Sequence, residues 1–308
     1  MDLLARSLIE RFGEHIGDTR EQYALQLGGA FQPVETQFDP YNRRLKFFDL
    51  TPADVRKSSM IASALGENAG ELYGKVIVYA KPGHVGWSGL GLRHEATIWG
   101  FFGDGSNAEL WAVYPAPKRA EDEMAEHNDQ VYEIARNKSC ADPRLPEGYS
   151  CGPALIEDAS EIAELMDGTF NDYPTPIRPD VVANAIDQRT SYFRVARDSR
   201  GRIAACASAE IHHTRKSAEL TDCATRTDER GKGIMSAILR GLEHDLAREF
   251  KITDVYTIAR AVEPGMNCSF AKLGYTYTGR LVNNCKMPEG YESMNVWCRD
   301  TRELMEVA

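Results

Sequence analysis

The residues with the clearest chemical potential lie in a short polar stretch, TDERGKGIMSAIL, which spans Thr227–Leu239. Gly231 and Gly233 allow the backbone to come close to a ligand, and Arg230 and Lys232 add positive charge beside them. An apolar run that is typical of a helix follows at once, and the first N–H groups of a helix have no backbone partners. The pattern predicts a cradle for a phosphate-like anion between a strand and a helix.

Other phosphate motifs do not fit this stretch. The chain has no GxxxxGK(S/T) sequence, and GKGIMS carries Ser where a dinucleotide fingerprint requires its third glycine. An isolated RGKG sequence is more often a solvated turn than a binding site. The position after a strand-like segment and before a long amphipathic segment favours the cradle, and the turn stays open as the alternative.

Composition and charge limit the class of protein. The 308 residues are 43% hydrophobic and 27% charged, which is typical of soluble globular proteins, and the net charge is −10 at pH 7. Such an acidic chain is a poor partner for nucleic acid or for an anionic membrane, since either requires a basic surface. The first residues, MDLLARSLIERFGEH, show neither a long apolar segment nor a small-residue cleavage site, so we expect a cytoplasmic protein.

Metal and disulfide chemistry is not indicated. The seven cysteines are scattered, odd in number and never in a CxxC pair, which is typical of reduced cysteines that pack inside a protein. His212 and His213 are adjacent but lack a third ligand that would make a metal site. We therefore expect no metal, and we expect Cys223 to pack rather than to act as a nucleophile.

Two strand-and-helix patterns are separated by a polar connection. In the first half, strand-like runs are predicted at 45–48, 75–80 and 109–114, and one helix is predicted at 52–65. A charged stretch that is predicted to be helical, KRAEDEMAEHNDQVYEIARNK, follows, and after it comes the proline-rich CADPRLPEG. They predict a linker at about 120–147 between an N-terminal α/β domain, residues 1–145, and a second domain, residues 148–308.

The second half has a clearer alternation of strands and helices. Strands are predicted at 149–156, 192–197, 202–212, 218–225, 254–260, 275–281 and 293–298. Helices are predicted at 157–166, 233–250 and 266–273, with a short helix from Asp180. Because hairpins and single strands alternate with helices, we predict a mixed α/β fold with an α+β sheet rather than a regularly doubly wound one.

The polar stretch resembles the pyrophosphate loop, R/Q-x-x-G-x-G/A, of the GNAT N-acetyltransferases, with Met235 at the last position. Several further segments resemble the β-lysine N6-acetyltransferase family in the same order: DPYNRRLKFFDL, FNDYPTPI, AELTDCAT, YTIARA, GMNCSFAKLGY, LVNN and ESMNVW. The resemblance implies the GNAT acyl-CoA N-acyltransferase fold for residues 148–308 and a partly GNAT-like accessory domain before it.

The resemblance also implies acetyl-CoA as the acyl donor. Backbone groups of the strand before the loop would bond the pantetheine arm, at Cys223, Ala224 and Thr225. N–H groups of the loop would hold the pyrophosphate, at Arg230, Gly231, Lys232, Gly233, Ile234 and Met235. Asn267 is a further predicted CoA contact. Phe270 stands where many relatives carry a tyrosine that protonates the leaving thiolate, so no general acid is assigned.

Amine acetylation requires a neutral amine, and a free lysine-type amine has a pKa of about 10.4. A carboxylate or a water chain must take the proton before the nitrogen attacks the thioester. Glu219 and Asp222, on the strand that leads to the loop, are the predicted base or amine-binding groups. Their spacing of three residues places them on opposite faces of a regular strand, so one of the two would serve the site.

Polar residues from two regions are predicted to line the acceptor pocket. Asp172 and Tyr173 lie in a proline-braced loop, and Glu292 and Asn295 lie near the final strands, together with Asn283–Asn284. A two-domain chain with a loop that closes over its site favours a small-molecule amine over a protein as the acceptor. A homodimer stays open.

We therefore predict an acetyl-CoA-dependent N-acetyltransferase that acetylates the side-chain amine of β-lysine to give a compatible solute. This substrate is implied by the resemblance alone. Another small diamine, an amino acid or an antibiotic-like amine is the alternative acceptor. A CoA-binding sensor or scaffold with weak transfer is the second alternative, because Met235 and Phe270 depart from the family pattern.

Overall fold

The computed structural model describes residues 8, 10, 22–27, 34–66, 72–170 and 177–306. Its strands are β1 (Tyr23–Leu27), β2 (Val34–Asp39), β3 (Arg44–Phe48), β4 (Lys75–Ala80), β5 (Arg93–Ile98), β6 (Ala108–Val113), β7 (Ser150–Pro153), β8 (Ser191–Arg197), β9 (Ile203–His212), β10 (Ser217–Thr225), β11 (Asp254–Arg260), β12 (Thr276–Met287) and β13 (Gly290–Asp300). Its α-helices are α1 (Pro52–Lys57), α2 (Ser59–Ala64), α3 (Ala125–Arg136), α4 (Ala159–Thr169), α5 (Pro179–Asp187), α6 (Ile234–Asp245), α7 (Pro264–Lys272) and α8 (Glu303–Glu306). In the part of the chain that is described, no helix is long and apolar enough to cross a membrane.

The chain forms two compact units that are built from discontinuous segments. The first unit comprises Met1–Ile98, Asn107–Ala125 and Gly279–Met294. The second comprises Trp99–Ser106, Glu126–Thr278 and Asn295–Ala308. The boundary predicted between residues 145 and 148 falls within the second unit, and the division of the chain into two domains at that point stays a prediction.

The first unit contains a six-stranded sheet of order β1-β2-β3-β4-β6-β5. Its central strand β4, KVIVYA, is buried at every position, as a largely apolar run predicts for an inner strand. Strands β3 and β4 are parallel, and α1 and α2 connect them. The single helix predicted at 52–65 is two helices, because the backbone is extended at Ser58, whose hydroxyl caps α2 by accepting a hydrogen bond from the N–H of Ile61.

The second unit contains a seven-stranded sheet of order β12-β13-β11-β10-β9-β8-β7, although Gly279–Met294 of its last two strands is counted in the first unit. Helix α6 packs on one face through Ile238 and Leu242, in a core cluster that includes Leu220 of β10. Helices α4 and α5 pack in a separate cluster with Val195 of β8 and with Cys206 and Ala224. The mixed α/β class that the sequence predicts is confirmed.

Several predicted elements differ in detail from the observed ones. Strands β12 and β13 are longer than expected, and the helix predicted at 233–250 is α-helical only to Asp245 and ends in a π-helical turn at Leu246–Phe250. The charged stretch that was expected to lie in the linker forms α3, whose Val131 is buried and whose Tyr132 ring lies 4.3 Å from the ring of Tyr277. This helix is thus a packed part of the second unit.

The strand order of the first unit repeats that of the second without its edge strand β7. In each unit a parallel pair joined by helices lies inside the sheet, β3 with β4 and β10 with β11. The first pair is hydrogen-bonded in register over five residue pairs, from Arg44↔Lys75 to Phe48↔Tyr79. The second pair, β10 with β11, is in register over two residue pairs only. The parallel strands of the second unit therefore separate, and this distinguishes the two sheets.

Candidate active site

The separation of β10 from β11 creates a gap inside the sheet of the second unit. The parallel ladder comprises Ala218↔Val255 and Glu219↔Tyr256, whereas β10 continues to Thr225. Beyond Glu219 the two strands diverge, so their facing edges are open to an extended ligand that carries its own amide groups. The observed pairing thus leaves a gap between β10 and β11 beyond Glu219.

A β-bulge lies in β10 beside this gap. Across to β9, Thr221 pairs with Ser208 and Ala224 pairs with Cys206, so β10 contains one residue more than its partner over this interval. Asp222 carries the left-handed backbone conformation of the bulge, with φ +52°. A bulge breaks the alternation of side chains, and it occurs here at the point where the two parallel strands part.

The bulge decides where the two predicted carboxylates point. Directly paired residues on antiparallel strands share a face, so Glu219 and Thr221 lie on the face of Ser208. The Ser208 hydroxyl donates a hydrogen bond to Asp222 Oδ2 at 2.6 Å, which holds that carboxylate on the same face. The expectation that Glu219 and Asp222 point to opposite faces is therefore wrong, because it assumed a regular strand.

Cys223, the residue after the bulge, packs beside the core cluster between the sheet and α6. Burial, and to a smaller extent the neighbouring Asp222 carboxylate, raises the pKa of the Cys223 thiol. The same causes raise the pKa of the Cys206 thiol. Both side chains are thiols at neutral pH, and this fits the packing role expected for Cys223 and not that of a nucleophile.

The polar loop adopts the shape of an anion cradle. After a short 3₁₀ turn at Thr227–Glu229, Gly231 and Gly233 have φ values of +80° and +79°, and α6 begins at Ile234. A Cβ atom at either glycine would have no neighbour within 4 Å. The glycines are required by the backbone conformation, and the space around them is open. The N-terminus of the 12-residue helix α6 also has no side-chain cap.

The side chains of the loop are tied to one another. Lys232 Nζ donates to Glu229 Oε2 at 2.7 Å and to the hydroxyl of Tyr149 at 3.1 Å, and that hydroxyl donates to Glu229. Arg230 Nε donates to the carbonyl of Thr225 at 3.3 Å. The positive charge of Lys232, which was expected to face an anion, is therefore shared with a carboxylate of the same loop.

The proteins that this chain resembles in sequence are acetyltransferases. The model of the Acetyltransferase (GNAT) family matches residues 159–275, which include the bulge, the gap and the loop. β-Lysine N(6)-acetyltransferase of Methanosarcina mazei is 37% identical over 268 residues, covering 78% of this chain and 96% of that protein. The chain belongs to the GNAT acetyltransferase family. N-acetyltransferase YodP of Bacillus subtilis is 30% identical over 269 residues, covering 85% of this chain and 94% of that protein.

The predicted family and enzyme class are thereby confirmed, and this GNAT acetyltransferase transfers an acetyl group to an amine. A solved structure of spermidine N-acetyltransferase from Vibrio cholerae, in complex with CoA and spermine, is 14% identical with a TM-score of 0.45. It covers 52% of this chain and 99% of that chain. In the described parts of the acetyltransferase, no group of three or more His, Cys, Asp or Glu residues is placed to hold a metal ion.

Asn267 of the acetyltransferase has a different environment from the one predicted. Its side-chain amide donates to the carbonyls of Arg260 at 2.9 Å and Glu263 at 2.7 Å. Its Oδ1 accepts from Asn295 Nδ2 and Trp297 Nε1, both at 2.9 Å. Two donors and two lone pairs are the full capacity of an amide. The Asn267 side chain is therefore fully used inside the protein, and the predicted contact of Asn267 with CoA stays a prediction.

Asn295 and Phe270 are likewise core residues. Asn295 is fully buried, and the hydrogen bond that it donates to Asn267 explains why an amide lies there. Its predicted place in the acceptor pocket stays a prediction. Phe270 is buried with its ring edge-on to Tyr275 at 5.1 Å. It packs in the same core cluster as the buried side chains of α6. This fits a side chain that has no proton to donate.

The remaining predicted acceptor residues lie elsewhere. Asp172 and Tyr173 fall outside the described residues. Glu292 is a half-buried residue of the first unit. In the same unit Asn283 donates to the carbonyls of Arg119 and Glu121 at 3.0 and 2.7 Å, so it holds two backbone segments together. The pairing of these residues in one pocket stays a prediction for Asp172, Tyr173 and Glu292.

The structure also brings together residues outside the predicted site. Tyr256, the last residue of the parallel ladder, pairs with Glu219, and its hydroxyl lies 3.4 Å from Nε2 of His212. The ring of Phe101 packs against both, with centroids 6.2 Å away. Glu210 and His212 alternate along β9, a spacing that places both side chains on the face of Glu219. That alternation was the available signal.

Proposed function

We propose that this acetyltransferase transfers an acetyl group from acetyl-CoA to the side-chain amine of β-lysine. The observation that carries the choice of acceptor is the identity of 37% with a β-lysine N(6)-acetyltransferase along 78% of the chain. A second protein of that name, from Methanococcus maripaludis, is 31% identical over 155 residues. The product carries no net charge, which suits a cytoplasmic compatible solute.

The residues around the gap fit acetyl-CoA. The edge of β10 offers backbone groups of Cys223, Ala224 and Thr225 to the amides of a pantetheine arm, in the manner of an added strand. The open N-terminus of α6 and the two positive-φ glycines of the loop offer N–H groups to a pyrophosphate. The acyl donor supplies an activated acetyl group. The protein supplies the groove that aligns it with the acceptor.

Glu219 and Asp222 are proposed to bind and deprotonate the ammonium groups of the acceptor. β-Lysine carries two amino groups and one carboxylate, so at neutral pH it brings two ammonium groups to the site. One carboxylate pairs with the ammonium that is retained, and the other takes a proton from the reacting amine. Placement of both carboxylates on one face of the sheet supports this division of labour.

The transfer balances when water carries protons to and from the site. The base carboxylate takes the first proton of the reacting ammonium and passes it to water. The lone pair of the neutral nitrogen then forms the new C–N bond, the C–S bond breaks, and its electron pair leaves with the CoA sulfur. The second proton of the nitrogen passes to the same carboxylate, and the CoA thiolate takes a proton from water. Ser208 orients the Asp222 carboxylate through its hydrogen bond at 2.6 Å.

The proposal is tested by measuring CoA thiol release with a panel of amines: β-lysine, α-lysine, ornithine, spermidine and a lysine-containing peptide. Selective turnover of β-lysine is expected. Preference for another free amine would contradict the proposed acceptor, and preference for the peptide would contradict a small-molecule role. Acetyl-CoA binding without thiol release from any amine would favour a CoA-binding sensor.

The base is identified with the isosteric variants Glu219→Gln and Asp222→Asn. The variant that lacks the base should lose roughly 10²–10⁴-fold in kcat at pH 7 and recover part of it at alkaline pH, where the amine is neutral without help. The other should chiefly raise the KM for the amine. Unchanged kcat and KM in both variants would contradict the assignment of these carboxylates.

A further inference from the structure

An acidic side chain lies inside the loop that is proposed to bind a pyrophosphate. Glu229 is 7% exposed and immediately precedes the RGKG sequence. A carboxylate beside an anion site weakens anion binding by direct repulsion. A carboxylate at this position must therefore stabilise the site in some other way, and the contacts of Glu229 show how.

Glu229 is the centre of a three-membered network. A single oxygen, Oε2, accepts hydrogen bonds from Lys232 Nζ at 2.7 Å and from the Tyr149 hydroxyl. Lys232 Nζ also donates to the Tyr149 hydroxyl at 3.1 Å, so the three polar atoms form a closed triangle. The hydrogen bonds from Lys232 and Tyr149 lower the pKa of the Glu229 carboxyl, and those contacts raise the pKa of Lys232. Both groups are ionised at neutral pH, and their charges offset each other.

The network closes a ring around Gly231, a glycine of the loop. Glu229 and Lys232 flank Gly231, which has a positive φ and open space around it. The third member, Tyr149, comes from the segment before β7, 80 residues away in sequence. A glycine-rich segment has many conformations to lose on binding a ligand, and a side-chain bridge across it removes part of that freedom in advance.

We propose that Glu229 and Tyr149 are positioning residues that hold the loop in its anion-binding shape through Lys232. The proposal rests on the proposed function, in which this loop binds the pyrophosphate of acetyl-CoA. The proposal predicts the opposite of what charge repulsion alone predicts. Removal of the Glu229 charge weakens the binding of an anion, because the loss of the bridge outweighs the loss of repulsion.

Asp228 provides a matched control. It is the residue next to Glu229, carries the same charge, and lies at the surface with its carboxylate 3.6 Å from Arg226 Nε. Asp228→Asn and Glu229→Gln each remove one negative charge from the loop without changing side-chain size. Repulsion alone predicts tighter acetyl-CoA binding in both variants. The positioning role predicts a rise of roughly tenfold in the Kd of acetyl-CoA for Glu229→Gln and unchanged or tighter binding for Asp228→Asn.

Calorimetric titration with acetyl-CoA, followed by steady-state kinetics, separates these outcomes. Glu229→Gln should raise the KM for acetyl-CoA and leave kcat at saturation unchanged. Tyr149→Phe, which removes only a hydroxyl, should shift KM in the same direction by less, and it replaces Glu229→Gln if that variant fails to fold. Acetyl-CoA binding by Glu229→Gln that is equal to wild type or tighter would overturn the proposal, as would a fall in kcat with KM unchanged.

Amide hydrogen exchange in the free protein gives a readout that does not depend on the ligand. Exchange of the amides at 229–235 should be faster in Glu229→Gln than in wild type and unchanged in Asp228→Asn. Equal exchange in all three proteins would overturn the positioning role. Absence of acetyl-CoA binding by the wild-type protein would instead contradict the proposed function, and the exchange measurement would still decide whether the bridge holds the loop.

Discussion

Replacement of Asn267 by alanine should cost stability and spare acetyl-CoA binding. The substitution removes four hydrogen bonds: two to the carbonyls of Arg260 and Glu263, and two from the side chains of Asn295 and Trp297. Asn267, Asn295 and Trp297 are all at most 2% exposed, so water does not replace the lost partners. The buried N–H groups of Asn295 and Trp297 each lose the acceptor that Asn267 Oδ1 provides.

The expected loss follows from these contacts. An unsatisfied buried donor costs about 1–3 kcal/mol, so two of them lower the free energy of unfolding by about 2–6 kcal/mol. In a chain of this size each kcal/mol corresponds to a fall of about 2–4 °C in Tm. Asn137→Ala is the matched control, because Asn137 is exposed and makes one side-chain hydrogen bond, to the carbonyl of Glu133 at 2.7 Å. It should change stability by about 0.5 kcal/mol or less.

Urea denaturation followed by circular dichroism measures the unfolding free energy, and calorimetry at a temperature where Asn267→Ala is folded measures the Kd for acetyl-CoA. The expected result is a large loss of stability with an unchanged Kd. Weaker acetyl-CoA binding with stability equal to that of Asn137→Ala would contradict this expectation and would support the predicted contact of Asn267 with CoA.

Three further single-residue predictions concern Ser208, Gly279 and Cys223. Ser208→Ala, which frees the carboxylate at the bulge, should lower kcat/KM by about 3–10-fold with little change in Tm, and an unaffected kcat/KM would exclude an orienting role for the hydroxyl. Gly279→Ala should destabilise by at least about 2 kcal/mol more than Gly290→Ala in urea denaturation. Both glycines have positive φ, but only at Gly279 would a Cβ overlap the backbone of β5. The thiol of Cys223 should react with iodoacetamide at pH 8 more slowly than that of the exposed Cys140, because its pKa is raised; equal rates by mass spectrometry would contradict this.

The backbone conformation of the loop was predictable because it is local. Two glycines and a following amphipathic run specify a backbone conformation within a few residues, and Gly231, Gly233 and the start of α6 at Ile234 lie where the sequence indicates. The order of strands and helices in the second unit was predictable for the same reason. Short-range patterns of period 2 and 3.6 carry that information.

What sequence reasoning missed depends on partners far along the chain. The bulge at Asp222 is visible only in the pairing of β10 with β9, so strand alternation gave the wrong face for one carboxylate. The role of Asn267 is set by Asn295 and Trp297, 28 and 30 residues away. Tyr149 reaches Glu229 across 80 residues. No local pattern distinguishes these side chains from surface polar residues.

Identification of the product formed from acetyl-CoA and β-lysine tests the proposed acetylation of the β-lysine side chain most directly. Thiol release should match acetylated amine in amount, and NMR spectroscopy should place the acetyl group on the side-chain nitrogen, N6. Release of CoA without an acetylated amine, or an acetyl group on the other nitrogen of β-lysine, would contradict the proposed reaction.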